Sequence, residues 1–190
     1  MAKGSQFERD TCRQLSQWWA GRDDVFWRSS NSGGRATIRK KSGKHTIGQF
    51  GDVAATDPVG LPLLDLITFE LKRGYKSANL HDMLDAPNTS AKPMFLQFIE
   101  QAIAAQVNAA SFAWAVIHKR DRRDTWIYFP DFLFGEFLRV GALSTYPLSM
   151  VTASTAFCKQ KKLIIFGGMS LDGFLQHVTP EHVKRLIKEV

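Results

Sequence analysis

Three polar residues hold positions from which they could act together: Asp52 after Gly51, and Glu70 and Lys72 on either side of Leu71. The run leading into them, Leu63 to Phe69, is apolar except for Asp65 and Thr68. A charged pair in such a run is costly unless it has partners. Two carboxylates on adjacent strands can share a divalent cation. Magnesium accepts one or two carboxylates and keeps several waters, and manganese is a workable substitute. Such an ion lowers the pKa of a bound water and polarises a phosphoryl oxygen. A lysine two residues beyond the second carboxylate lies on the same strand face, where it can orient the attacking water or offset charge building on a phosphate. The chemistry these residue types point to is phosphodiester hydrolysis.

Acid-x-Lys triplets are common on solvated strands, so Glu70 and Lys72 alone carry little. They gain weight from the apolar strand, from the Gly51-Asp52 pair 18 positions before Glu70, and from a basic segment just before both. Other candidates read more simply. Asp57 precedes Pro58 and is a turn residue. Asp65 falls on the opposite strand face from Glu70. His45, His81, His118, His177 and His182 lack zinc-ligand spacing. Cys12 and Cys158 form neither a metal-ligand pattern nor a disulfide framework.

The elements that must position these residues follow from periodicity. Ser5 to Trp19 is expected to be a helix, with Phe7, Leu15 and Trp18 near one face and Gly21 as its stop. Ser5 and Glu8 make a capping-box pattern, so Glu8 reads equally as a capping residue or a catalytic one. Val25 to Ser29 is a short strand. Residues 30 to 48 are polar, basic and glycine-rich, and read as a long loop or irregular hairpin of the functional kind. Gln49 to Thr56 is strand-like. Leu63 to Arg73 alternates, with Leu66, Thr68, Glu70 and Lys72 on one face and Ile67, Phe69 and Leu71 on the other. A short helix is expected at 78–84 and a longer one at 95–110, with Phe95, Ile99, Ala102, Ile103 and Gln106 on one side. Strands at 111–118 and 124–129 join through a basic turn as a hairpin. A short helix from Asp131 to Leu138, a strand at 163–166 and a final helix from Thr179-Pro180-Glu181 to Glu189 complete the chain. Trp18, Trp114 and Trp126 read as core. Trp27, beside Arg28, is the tryptophan left for a stacking role. This order gives an α/β fold with a central mixed sheet flanked by helices. One domain over residues 1–190 is expected, with a core at about 4–120 and an extension at about 121–190.

Charge points to the partner. Lys plus Arg is 25 against 18 for Asp plus Glu, a net charge of +7. That balance suits a polyanion, because neutralising phosphates releases counterions. The charge is clustered: Arg35, Arg39, Lys40, Lys41, Lys44 and His45, then His118, Lys119, Arg120, Arg122 and Arg123, then Lys159, Lys161 and Lys162. No apolar run approaches the roughly 20 residues that span a bilayer, so a membrane partner is not expected. The first residues carry no secretory pattern, and a cytoplasmic setting is the default expectation.

The pattern Gly51-Asp52, a loop, then an apolar strand ending Glu70-Leu71-Lys72 resembles the PD-(D/E)xK nuclease superfamily. With Gly4-Ser5-Gln6-Phe7-Glu8-Arg9 and Trp27-Arg28-Ser29-Ser30-Asn31-Ser32-Gly33-Gly34, the stretch from about 4 to 120 is similar to archaeal-type Holliday junction resolvases and their phage and restriction-enzyme relatives. The resemblance implies a restriction-endonuclease-like core and a magnesium-dependent DNA endonuclease. It implies Asp52, Glu70 and Leu71 as the metal set, Lys72 as the catalytic lysine, and Glu8 acting through an outer-shell water. Ser30 or Ser32 would lie near the scissile phosphate. Arg28, Arg35, Arg39, Lys40, Lys41 and Lys44 join those serines as candidate DNA contacts. Resolvase-like members act as homodimers. Branched and linear DNA both stay open as substrate. Here glycine replaces the literal proline before the first acid. Gln97, Gln101 and Gln106 follow the motif where superfamily members often place a glutamine, though a helix face explains any one of them. An inactive binding module of the same fold is the alternative, as is an RNA-directed one, although the aromatic or GXXG signatures of the latter are absent.

Overall fold

A computed structural model describes residues 3–29, 50–74, 78, 80, 93–143 and 164–189. Helix α1 runs Lys3–Ala20. Phe7, Thr11, Leu15 and Trp19, four residues apart, are buried with Cys12 and Ser16 on the adjoining row. Gly21, at φ +71°, closes the helix by donating its N–H to Gln17 O at 2.9 Å. Ser5 lies inside the first turns of α1, so it is not the cap, and the capping-box reading of Ser5 and Glu8 does not hold.

Strands β1 (Phe26–Arg28) and β2 (Val53–Ala55) form an antiparallel pair, with Phe26 opposite Ala55 and Arg28 opposite Val53. After a 3₁₀ turn at Pro58–Gly60, helix α2 (Leu61–Leu66) leads into strand β3 (Ile67–Arg73). The single strand expected over 63–73 is therefore half helix. Pro62 suits a first helical turn, and Leu63 and Leu66, three apart, bury together while Asp65 is exposed. From Ile67 onward the alternation stands.

Helix α3 (Met94–Ala109) carries the chain over the sheet to strand β4 (Ala113–Lys119), which lies parallel to β3 with Glu70 opposite Val116 and Lys72 opposite His118. The crossover helix is what a parallel pair requires. Strand β5 (Thr125–Pro130) returns antiparallel to β4, as the hairpin signal predicts. Helix α4 spans Asp131–Arg139. Strand β6 (Phe166–Ser170) starts where a strand at 163–166 was expected to end. Gly167 and Gly168 conceal it in the sequence. A Cβ at Gly168 would stand 2.4 Å from Tyr128 Cδ1, so the Tyr128 ring fills the space a side chain would need. Helices α5 (Leu171–His177), for which the sequence reading made no provision, and α6 (Pro180–Glu189) end the fold.

The four-stranded sheet has the order β3-β4-β5-β6 and mixes one parallel with two antiparallel pairings. One face packs Phe69, Leu71, Ala115, Ile117, Ile127 and Phe129 against the apolar sides of α1, α4, α5 and α6. The other packs Trp114, Val116 and Tyr128 under Phe95, Leu96, Phe98 and Ile99 of α3. This is the α/β arrangement expected: a mixed sheet between helices. Strands β5 and β6, from beyond residue 120, complete the sheet. The short helix expected at 78–84 lies outside the described residues apart from Ala78 and Leu80. Among the described residues no helix is long and apolar enough to cross a membrane.

Candidate active site

Asp52 is held beside β3 by two hydrogen bonds. Its N–H donates to Phe69 O at 2.8 Å, and its Oδ2 accepts from Leu71 N at 2.8 Å. The carboxylate thus takes the place a backbone carbonyl would hold in a longer strand pairing. The N–H and C=O of one strand residue leave on the same edge, so the Leu71 carbonyl also faces the Asp52 side. Gly51 makes this approach feasible. Its φ is +73°, and a Cβ there would lie 2.6 Å from Phe69 O and 2.8 Å from Thr68 Cγ2. Proline is fixed near φ −65° and could not stand at this position, so glycine before the acid is a geometric requirement of this chain.

Ser29 supplies a second clamp. Its hydroxyl donates to Gly51 O at 2.8 Å and its N–H to Asp52 O at 2.9 Å, and the residue is wholly buried. Ser29 is not among the serines expected near the scissile phosphate, Ser30 and Ser32. Its signal was available, since a serine ending a buried strand has a hydroxyl that must find a partner. Ser16 does similar work one layer back: its Oγ accepts from Phe26 N at 2.8 Å and fixes the start of β1 on α1.

Glu70 and Lys72 lie on the α3 face of β3, side by side as alternation requires. Lys72 Nζ is 2.6 Å from Glu70 Oε1, and both side chains are largely covered. Phe98 of α3 roofs the lysine, with Nζ 5.6 Å from its ring centroid. His118, Lys72's register partner on β4, is packed between Phe95 and Phe98 at ring-centroid distances of 6.0 and 5.6 Å. Its Nε2 is buried with no hydrogen-bond partner among the described residues, and burial holds its pKa down at about 4, with Arg120 adding to the shift. Neither Phe98 nor His118 was marked by sequence as a neighbour of the lysine.

Burial raises the pKa of Asp52 to about 7, with the Glu70 carboxylate next in importance. The Leu71 N–H and Lys72 oppose the shift, and Glu8 adds to it. Glu8 therefore stands within electrostatic reach of Asp52. It projects from α1 towards β1, where Arg28 Nε lies 3.3 Å from Glu8 Oε2. Cys12, one turn along α1, is pushed up to about 12, by burial first and then by Glu8 and Asp52. The fold thus gathers Glu8, Arg28, Asp52, Glu70, Leu71 and Lys72 from α1, β1, the approach to β2, and β3.

Other sequence candidates fall elsewhere. Asp57 caps the 3₁₀ turn by accepting from Val59 N at 2.9 Å, and it pairs with Arg22. Gln106 donates to Ser111 O at 2.6 Å and closes the end of α3, while Gln97 and Gln101 are exposed on that helix. Trp114 is core, Trp18 and Trp126 are half-buried, and Trp27 is 41% exposed. Ser30, Ser32, Arg35, Arg39, Lys40, Lys41 and Lys44 lie outside the described residues.

Among the described residues no three His, Cys, Asp or Glu side chains stand together as a ready metal cage. The donors present are two carboxylates and a strand carbonyl, hard oxygens of the kind magnesium takes alongside water. A buried carboxylate whose ionisation is opposed by a second carboxylate is an environment that a dication would reverse. The residues fit such an ion.

A mixed sheet between helices, with an acid beside the edge strand and Glu-x-Lys on that strand, defines a protein of the PD-(D/E)xK nuclease superfamily. The chain belongs to the family described as "Phage putative PDDEXK endonuclease", which matches residues 1–185. That match extends well past the 4–120 stretch in which the motifs lie. Comparison with curated proteins and with solved structures gives no match in either.

Proposed function

We propose that this protein is a magnesium-dependent endonuclease that hydrolyses DNA phosphodiester bonds at Asp52, Glu70 and Lys72. The observation that carries the reading is the anchoring of Asp52. A buried carboxylate is bonded to the backbone N–H of Leu71, the residue between Glu70 and Lys72. After burial, the influence that counts most on its charge is a second acid, Glu70, ahead of the opposing Leu71 N–H and Lys72.

Asp52, Glu70 and the Leu71 carbonyl would hold the ion. When bound, it supplies Lewis-acid polarisation of the phosphate and a water acidic enough to attack. Lys72, ion-paired with Glu70, is placed to orient that water and to neutralise the developing charge on phosphorus-bound oxygen. Phe98 excludes bulk water from the lysine, which strengthens each of these interactions. Glu8 and Arg28 form the outer wall, the arginine facing a phosphate and the glutamate orienting it and nearby water. Ser30, Ser32 and the basic residues from Arg35 to Lys44 supply further DNA contacts in this reading.

The test is cleavage of linear duplex and of four-way branched DNA with magnesium or manganese. The parent is expected to cut at least one of them. Asp52→Ala, Glu70→Ala and Lys72→Ala are each expected to lose at least about a thousandfold, the scale of removing a main electrostatic contributor. Absence of cutting by the parent on every DNA, or variants as active as the parent, would sink the reading. Preference for the branched substrate, with a two-fold dimer by sedimentation, would place the enzyme with junction resolvases, because a dimer sets one centre on each of two strands.

A further inference from the structure

We propose that the β4–β5 hairpin tip is a second binding surface for the DNA backbone, lying beyond the cutting centre along the sheet. The proposal rests on the nuclease reading above and adds a contact region to it. Parallel register places the tip at the same end of the sheet as the site: Glu70 lies opposite Val116, Lys72 opposite His118 and Arg73 opposite Lys119. The tip follows at once, with Arg120, Arg122 and Arg123 exposed. Arg120 is two residues beyond His118, and its charge is felt by both His118 and Tyr128 on the α3 face. Glu70 and Lys72 occupy that same face.

From the level of Glu70 to Arg120 is four strand residues, about 13 Å at roughly 3.3 Å each. That equals about four base steps of a duplex at roughly 3.4 Å. A duplex laid along the β4 direction would reach from the centre to the tip within that length.

Two features distinguish the tip from an ordinary solvated turn. Asp121 and Asp124 share it, yet among the described residues no ion pair engages Arg120, Arg122 or Arg123 with them or with any other acid. The turn closes through Arg123 N to Arg120 O at 3.3 Å, and Arg122 has φ +59°. That is the left-handed region, where glycine or asparagine is cheaper by about 1–2 kcal/mol. An arginine kept there at a conformational cost, with no acidic partner among the described residues, is fitted to an anionic partner, and phosphate is the anion the neighbouring centre would process.

The experiment measures binding of a linear duplex without divalent ion, as a function of salt. The triple variant Arg120→Gln, Arg122→Asn, Arg123→Gln is compared with the parent and with Lys184→Gln, Lys188→Gln. The control pair lies on α6, which packs on α2 and α4 at the opposite end of the sheet. Each phosphate contact contributes about 0.9 to the slope of log K against log salt. The triple variant should flatten the slope by roughly 2 to 3, while the control should leave it unchanged. Thermal melting of the triple variant should match or exceed the parent, since asparagine relieves the turn at Arg122. An unaltered slope, or the same change per charge in both variants, overturns the proposal. If the parent cuts DNA while the slope is unaltered, the hairpin surface fails and the nuclease reading stands. If the parent binds no DNA, both fail.

Discussion

Asp52→Asn should make the metal-free protein more stable at pH 8 while abolishing its response to magnesium. Asp52 is 9% exposed, and burial together with Glu70 raises its carboxyl pKa from 3.8 to about 7. The folded state therefore retains a proton between those values that the unfolded chain has released. Stability falls as pH rises through this window and stays at its lower level above pH 7. Three pKa units at about 1.4 kcal/mol each bound the cost at about 4 kcal/mol. Asparagine keeps an oxygen for the Leu71 N–H but has no charge to bury. Urea unfolding in EDTA should show the variant more stable than the parent at pH 8, by up to about 4 kcal/mol, and nearly equal to it at pH 4. Magnesium at a hundredfold excess over Kd should then stabilise the parent by about 3 kcal/mol and leave the variant unmoved. A variant no more stable than the parent in EDTA at pH 8 would refute the claim that Asp52 is held at an energetic cost for the sake of a ligand.

Gly51→Ala should destabilise by about 2–4 kcal/mol, combining the left-handed backbone penalty with overpacking against Phe69 O; unfolding within 0.5 kcal/mol of the parent would contradict this. Gly51→Pro, which restores the superfamily's literal proline, should be worse than alanine in the same assay. Ser29→Ala leaves Gly51 O without its donor and should cost about 1–3 kcal/mol; cleavage should fall as well and Ser29→Thr should recover part of it, whereas unchanged activity would show that the clamp does not position Asp52. His118, with a pKa lowered from 6.5 to about 4, stays neutral in the fold while the unfolded chain gains a proton. Stability should therefore drop by roughly 3 kcal/mol as pH falls from 6.5 to 4. Asp52 slopes the opposite way in this range, so the effect is to be read in the Asp52→Asn background, where adding His118→Phe should flatten the curve.

Much of the fold is legible from local pattern. The 3.6-residue period that pairs Phe7 with Leu15, the alternation from Ile67 to Lys72, and Pro180 at a helix start each act over a few residues, and the structure keeps them, although it buries Trp19 more deeply than the expected Trp18. What failed depended on neighbours distant in sequence. Leu63 to Leu66 alternates as a strand would, but Pro62 and the packing surface make it helix. Strand β6 contains two glycines that discourage a strand, and only β5 alongside and the Tyr128 ring above Gly168 make it one.

The same division runs through the candidate site. The sequence alone determined that Glu70 and Lys72 share a face, because strand alternation is a property of the backbone. It also marked Asp52 as the matching acid. Only the tertiary structure decided that Asp52 bonds to the Leu71 N–H, that Gly51 must be left-handed for it to do so, and that Ser29 clamps the pair. It alone set Glu8 against Arg28 rather than on a helix cap, and brought the arginine tip to the end of the sheet that carries Lys72. The physical reason is range. Propensity and periodicity act within a turn or a strand, whereas desolvation, like-charge repulsion and the hydrogen bonding of an edge strand arise only when segments far apart in the chain are pressed together.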